Sequence, residues 1–184
     1  MTQQQAMALL REHVKNENLI KHMIAAESVM KALAKKFEQD QEKWALAGLL
    51  HDIDWEETAD DPLQHSIVSQ EYLKIAGVDD DIIRAIYVHN HLHGIEPQTI
   101  FEKALYCAEE LTGLIVACAL VQPDKKLASV TAESVLKKFK NLAFARGVDR
   151  DLIVRCQELL GMTLEELVAL ELEAMKNISD DLGL

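Results

Sequence analysis

Trp44-Ala45-Leu46-Ala47-Gly48-Leu49-Leu50-His51-Asp52-Ile53-Asp54 runs apolar and then presents a histidine and an aspartate side by side. An unbroken run of Ala and Leu ending in polar residues reads as a buried helix whose last turn opens onto something other than core. Adjacent His and Asp offer a borderline nitrogen and a hard oxygen. With further ligands from neighbouring helices, that pairing suits a divalent metal. The candidate partners are His22 upstream, and His65, His89 and Glu109 downstream.

The composition around that run is that of a helical protein. Of 184 residues, 49% are hydrophobic, enough for a globular chain with a sizeable core. Gly (7) and Pro (3) are scarce and aromatics make up only 5%, while Ala, Leu, Glu and Lys abound, which favours helices over sheets. The expected fold class is all-α, a helical bundle in a single domain over 1–184. A core at about 18–120 is followed by a helical extension at about 121–184.

Periodicity and punctuation place the helices near Thr2–Val14, Asn18–Phe37, Gln41–His51, Leu63–Ala76, Asp80–His89, Thr99–Leu120, Thr131–Phe139, Asp149–Leu160 and Thr163–Met175. Thr163-Leu164-Glu165-Glu166 matches a capping box. The acidic stretch Asp54 to Pro62 reads as an irregular loop beside the His-Asp pair.

Several functional classes are disfavoured. The longest apolar region, Leu114 to Val121, is too short to span a bilayer, and Met1-Thr2-Gln3-Gln4-Gln5 carries no secretory signal. The expected location is cytoplasmic, with no membrane partner. Cys107, Cys118 and Cys156 lack metal-type pairing and sit among apolar neighbours as small core residues. A net charge of −12 argues against a nucleic-acid polymer as partner. Yet between Lys125 and Arg155 eight basic residues face three acidic ones. That segment reads either as a solvated helix face or as an anion-binding rim. In the second case Lys137, Lys138 and Arg146 are the phosphate-binding candidates.

Helical phase sorts the remaining candidates. Ala26, Val29, Leu33 and Phe37 form an apolar stripe with His22 in its middle. A lone histidine there is ordinarily a core residue bonded to backbone; the His51-Asp52 pair gives it a second reading as a ligand. On the helix Thr99–Leu120, Glu109 borders the apolar side and Glu110 points nearly opposite, so Glu109 is the carboxylate expected to turn inward. Gly113, one turn later, is expected to permit a close backbone approach.

His22, then His51-Asp52 within Leu49-Leu50-His51-Asp52-Ile53-Asp54, then a carboxylate in Tyr106-Cys107-Ala108-Glu109-Glu110-Leu111-Thr112-Gly113, together resemble the HD-domain superfamily. The pattern particularly resembles the predicted HD and HDIG phosphohydrolases, over roughly residues 18 to 120. The tail stretches Val135-Leu136-Lys137-Lys138-Phe139-Lys140 and Phe144-Ala145-Arg146-Gly147-Val148 are similar to the same group. The resemblance implies an HD-like helical bundle in which His22, His51, Asp52 and Glu109 ligate one divalent ion. His65 and His89 would hold a second ion, with Asp52 bridging, or would contact substrate. One or two ions, and Mn, Fe, Co, Mg, Ni or Zn, stay open. Family members usually carry Asp at the last ligand position. Glu109 is one methylene longer, which bears on affinity and activity more than on fold. No Gly-Tyr-Pro follows His93, which counts against the cyclic-dinucleotide phosphodiesterases.

The implied activity is metal-dependent phosphohydrolysis of a nucleotide or another small phosphorylated metabolite. A bound metal acidifies its water and neutralises charge growing on the phosphoryl oxygens. Asp52 would orient the water, and a nearby histidine, His89 being the candidate, would protonate the leaving oxygen. Asp54 reads as a loop or outer-sphere carboxylate. Two alternatives carry over from the resemblance: a di-iron HD-type oxygenase, for which His65 and His89 are obligatory, and a non-catalytic HD regulatory module. An apolar helix face is compatible with a homodimer.

Overall fold

The computed structural model describes residues 1–184 as helices and turns, with no strand. Three helices build the first half: α1 (Gln3–His13), α2 (Glu17–Lys36) and α3 (Gln41–Leu50). Their starts are set by side-chain caps. Thr2 and Gln5 form a capping box at α1, Asn16 accepts the Asn18 N–H at α2, and Asp40 accepts from Glu42 and Lys43 at α3. Ile20, Met23, Val29, Met30 and Leu33 form the buried face of α2, which lies along α3.

That contact is unusually close for a sequence reason. A β-carbon on Gly48 would lie 2.5 Å from the Ala26 carbonyl oxygen, so only glycine lets the two backbones meet there. The close approach expected at Gly113 is not found. A β-carbon there would meet only Val148 Cγ2, at 3.6 Å.

After α3 the chain makes one helical turn, α4 (Trp55–Thr58), inside the stretch expected to be irregular. It then passes through turns to α5 (Val68–Ile75), α6 (Asp80–His89) and a 3-10 turn at His91–His93. The helix expected from Leu63 begins five residues late, at Val68. Ser66 stands in the left-handed region (φ +64°), and the Asp54 carboxylate takes the Ser66 and Ser69 N–H groups. His65 therefore sits in a turn rather than on a helix.

The long helix α7 (Ile100–Leu120) is the axis of the molecule, capped by Thr99. It is apolar nearly all round because it is covered on several sides: by α2 and α6, and by the later helices α8 (Ala132–Phe139), α9 (Arg150–Val154), α10 (Cys156–Leu160) and α11 (Leu164–Lys176). Its one buried charge in the first turn, Glu102, is met by Arg84 at 3.1 Å and by the Gln98 N–H at 2.7 Å. The expected single helix over Asp149–Leu160 is two short ones that break at Arg155. A short α12 (Ser179–Leu182), which periodicity did not indicate, packs on α2. One apolar core runs from Ala6 to Leu182. No helix is long and apolar enough to cross a membrane.

Candidate metal centre

Four helices deliver five side chains to one point, and a turn delivers a sixth. His22 comes from the first turns of α2, His51 and Asp52 from the end of α3, His89 from the end of α6 and Glu109 from the middle of α7. His65 comes from the turn before α5. The Nε2 atoms of His22 and His51 are 3.1 Å apart, and those of His65 and His89 are also 3.1 Å apart. Asp52 lies between the two pairs. Its Oδ2 is 3.6 Å from His22 Nε2, and its Oδ1 is 3.5 Å from His51, 3.2 Å from His65 and 3.5 Å from His89. Glu109 Oε2 closes the first pair, 3.7 Å from His22 and 3.9 Å from His51. Atoms bonded to a common metal at about 2.0–2.2 Å stand roughly 3–3.5 Å from each other, so this spacing matches a coordination shell. Two groups, His22-His51-Asp52 and Asp52-His65-His89, each can hold an ion.

The far side of each imidazole decides what the near side presents. His51 Nδ1–H donates to the Gly48 carbonyl at 2.8 Å, and His89 Nδ1–H donates to the Ile86 carbonyl. His65 Nδ1–H donates to Asp54 Oδ1 at 2.8 Å. Thr112 Oγ1 gives its proton to the Glu109 carbonyl at 2.7 Å and therefore accepts from His22 Nδ1–H at 3.1 Å. All four rings thus turn Nε2 inward, towards the shared centre.

Burial lowers His22, and it presses His51 down to about 3 against the pull of Asp52, so both stay neutral. Two lone pairs then face each other at 3.1 Å with no hydrogen between them, an arrangement only a cation relieves. The second pair behaves differently. Burial opposes charge on His65, but its hydrogen bonds to Asp52 and Asp54 outweigh that and raise it to about 9. A proton there occupies the place of a second cation. Burial also raises Glu109, reinforced by Glu110 and Asp52.

Around this shell stand further residues, of which Asp54 alone was singled out in the sequence, as a loop or outer-sphere carboxylate. Asp54 is fully enclosed; besides His65 it accepts the N–H groups of Ser66 at 2.8 Å and Ser69 at 2.9 Å. Gly48 and Thr112 fix two ring orientations from three residues away in the chain and from the opposite helix. Asn90 ties the His65 turn down by donating to the Pro62 and His65 carbonyls. The cavity over the shell measures about 280 Å³, with Trp55 and Leu92 at its mouth. His91 lines it, whereas His93 turns away to the His65 carbonyl and the Tyr87 ring.

Two expectations need correcting. Glu110 does not point away; it is half-buried, lines the cavity and accepts the Asp149 N–H at 3.2 Å. The segment 140–149 folds against this flank of α7, a long-range contact invisible to helical phase. Nor do Lys137, Lys138 and Arg146 reach the cavity. Lys137 and Arg146 are exposed elsewhere, and Lys138 lies over the Phe144 ring, 4.6 Å from its centre. The most engaged cation of that segment, Arg150, is spent on backbone: it donates to the carbonyls of Phe139, Asn141, Phe144, Ala145 and Val148.

The HD-domain family pattern matches residues 19–120, which span every one of the six converging side chains. This chain belongs to the HD-domain family. HD domains bind divalent metals and are commonly metal-dependent phosphohydrolases, and the cluster here fits such an ion. No solved structure matches the chain.

Proposed function

We propose that the protein is a metal-dependent phosphohydrolase acting on a small phosphorylated compound. The observation that carries this reading is the facing pair of neutral imidazoles, His22 and His51, with Asp52 and Glu109 completing a mixed nitrogen and oxygen shell. Asp52, reaching both groups, would ligate two ions, with His65 and His89 completing the second set. The ions supply an acidified water and charge neutralisation at phosphorus when bound.

The chain's own residues do the rest. Hydrolysis forms a bond from water oxygen to phosphorus and breaks the bond from phosphorus to the ester oxygen, which leaves with a proton. Asp52 holds and orients the attacking side. His89 has its Nδ1–H tied to Ile86 and its Nε2 turned to the shell, which suits a ligand better than a proton donor. His91 is the imidazole lining the cavity with no side-chain hydrogen bond, so we assign it the proton for the leaving oxygen. Phosphate recognition falls to the ions and histidines, because no lysine or arginine lines the cavity.

The test is release of inorganic phosphate from a panel of mono- and diesters by protein loaded with Mn²⁺, Co²⁺, Mg²⁺ or Fe²⁺. Turnover abolished by His51→Ala is expected. Silence across the panel in protein that demonstrably holds metal would overturn the reading. A second reading, oxygen activation by two irons, draws support from the complete His65-His89 half of the shell. Oxygen uptake by the Fe²⁺-loaded protein, without phosphate release, would favour it.

A further inference from the structure

The wall of the cavity outside the ligand set bears on which esters fit, an inference that rests on the hydrolytic reading above. That wall consists chiefly of Trp55, Pro62, Leu92, His91 and Glu110, with no lysine or arginine. Asn90 also lines it, but its amide is committed to the Pro62 and His65 carbonyls and to the Leu92 N–H. Glu110 is half committed. Oε2 accepts the Asp149 N–H at 3.2 Å, and no protein donor reaches its other oxygen. Trp55 is 37% exposed at the mouth, braced edge-to-face against His65 with ring centres 4.9 Å apart.

Charge makes this wall selective. Three carboxylates, Asp52, Glu109 and Glu110, face the cavity. Two divalent ions would leave it a single positive charge, and a phosphate monoester brings about two negative ones at neutral pH. In phosphate sites such an excess is ordinarily met by Arg or Lys, and the basic segment that contains them is turned elsewhere. The approach is acidic too: Asp60 and Asp61 are exposed on the segment that carries Trp55 and Pro62 to the mouth. A substrate carrying its own positive charge resolves the mismatch. An aromatic face and a carboxylate with a free oxygen are the groups that hold an ammonium.

We propose that the protein takes phosphate monoesters of amino alcohols, the phosphate at the metal centre and the ammonium held by Glu110 and Trp55. Glu110 and Trp55 are then specificity-determining residues. The surplus negative charge also disfavours polyphosphate chains, which present further anionic groups to a wall with no cation.

Calorimetric titration of the Mn²⁺-loaded protein tests this without requiring turnover. Phosphoethanolamine is expected to bind at least about tenfold more tightly than ethyl phosphate, its counterpart without the amine. Glu110→Gln and Trp55→Leu should each pull that ratio towards one, and Glu110→Asp should restore part of it. Equal or tighter binding of ethyl phosphate, no binding of either ester, or a ratio indifferent to Glu110→Gln would overturn the proposal. Selective binding without hydrolysis would sink the hydrolytic reading and leave this one standing. Hydrolysis without amine preference would do the reverse.

Discussion

Gly48 and Ala26 meet backbone to backbone, so closely that a methyl group on residue 48 would overlap the Ala26 carbonyl, 2.5 Å away. The same glycine's carbonyl orients His51, so the contact that seats α3 on α2 also sets the distance between His51 and His22. Gly48→Ala must push the helices apart. It should lower stability by about 2–3 kcal/mol, in the range of overpacked cores, and weaken metal binding. Gly113→Ala is the matched control. Its new methyl would meet Val148 at an ordinary 3.6 Å, so stability should hold or rise by up to about 1 kcal/mol. Urea unfolding of both variants checks the pair; equal losses would refute the account.

Asp54 is the carboxylate through which the fold and the metal shell are joined. It aligns His65 while accepting the backbone N–H groups of Ser66, in the turn before α5, and of Ser69, in the first turn of α5. Asp54→Asn keeps the shape but replaces one acceptor oxygen with a donor. Metal affinity should fall about 10–100-fold, as it does when an outer-sphere partner is lost. Stability should fall by about 1–3 kcal/mol from the unpaired N–H groups. Competition with a fluorescent chelator reads the first effect and thermal unfolding the second.

Because His65 holds a proton up to about 9, an ion entering the second half of the shell must displace it below that pH. Its apparent affinity should climb by up to about tenfold per pH unit between pH 7 and 9 and then level off. The imidazoles of the first half, which burial keeps neutral, should contribute no such slope in this range. Titrations in two buffers of different ionisation heat would count the protons released by each ion.

Glu171 on α11 is wholly enclosed, and neither carboxylate oxygen has a partner. Burial raises its carboxyl well above its ordinary value of 4.5. A raised acid contributes fully to stability below its unfolded pKa and loses that contribution as pH rises, because only the unfolded chain can release the proton freely. Glu171→Met should therefore stabilise the fold by about 1–3 kcal/mol at pH 8 and by much less at pH 5. Denaturation midpoints at the two pH values decide it; a constant difference would mean that the carboxyl is not held neutral.

Much of this was legible in the chain itself, for reasons that differ between residues. Helices α2, α3, α6 and α7 begin and end close to where periodicity and caps put them, and local rules suffice there. His22 and Glu109 lie where helical phase aims them because their helices pack on the core along one steady stripe. Phase failed for Glu110, since α7 is covered on more than one side and both flanks are interior. It failed at Leu63 because Asp54, well before it in the chain, competes for the backbone that would have continued the helix. The basic segment misled most. Lys137, Lys138 and Arg146, read as phosphate binders, stand away from the cavity, while Arg150 of the same segment is consumed by five backbone carbonyls, and no local pattern announces such a role.

The enclosure of α7 has a consequence for how the molecule is made. All six side chains of the cation shell have been synthesised once the ribosome passes residue 109, yet α8, α9, α10 and α11 have not. Until those later segments emerge, the greasy back of α7 has nothing to rest on, and a half-finished chain shows it to its surroundings. Metal capture should therefore lag behind translation of the ligands. In a nascent-chain series of increasing length, protection from protease should arrive only when the α11 sequence has cleared the exit tunnel.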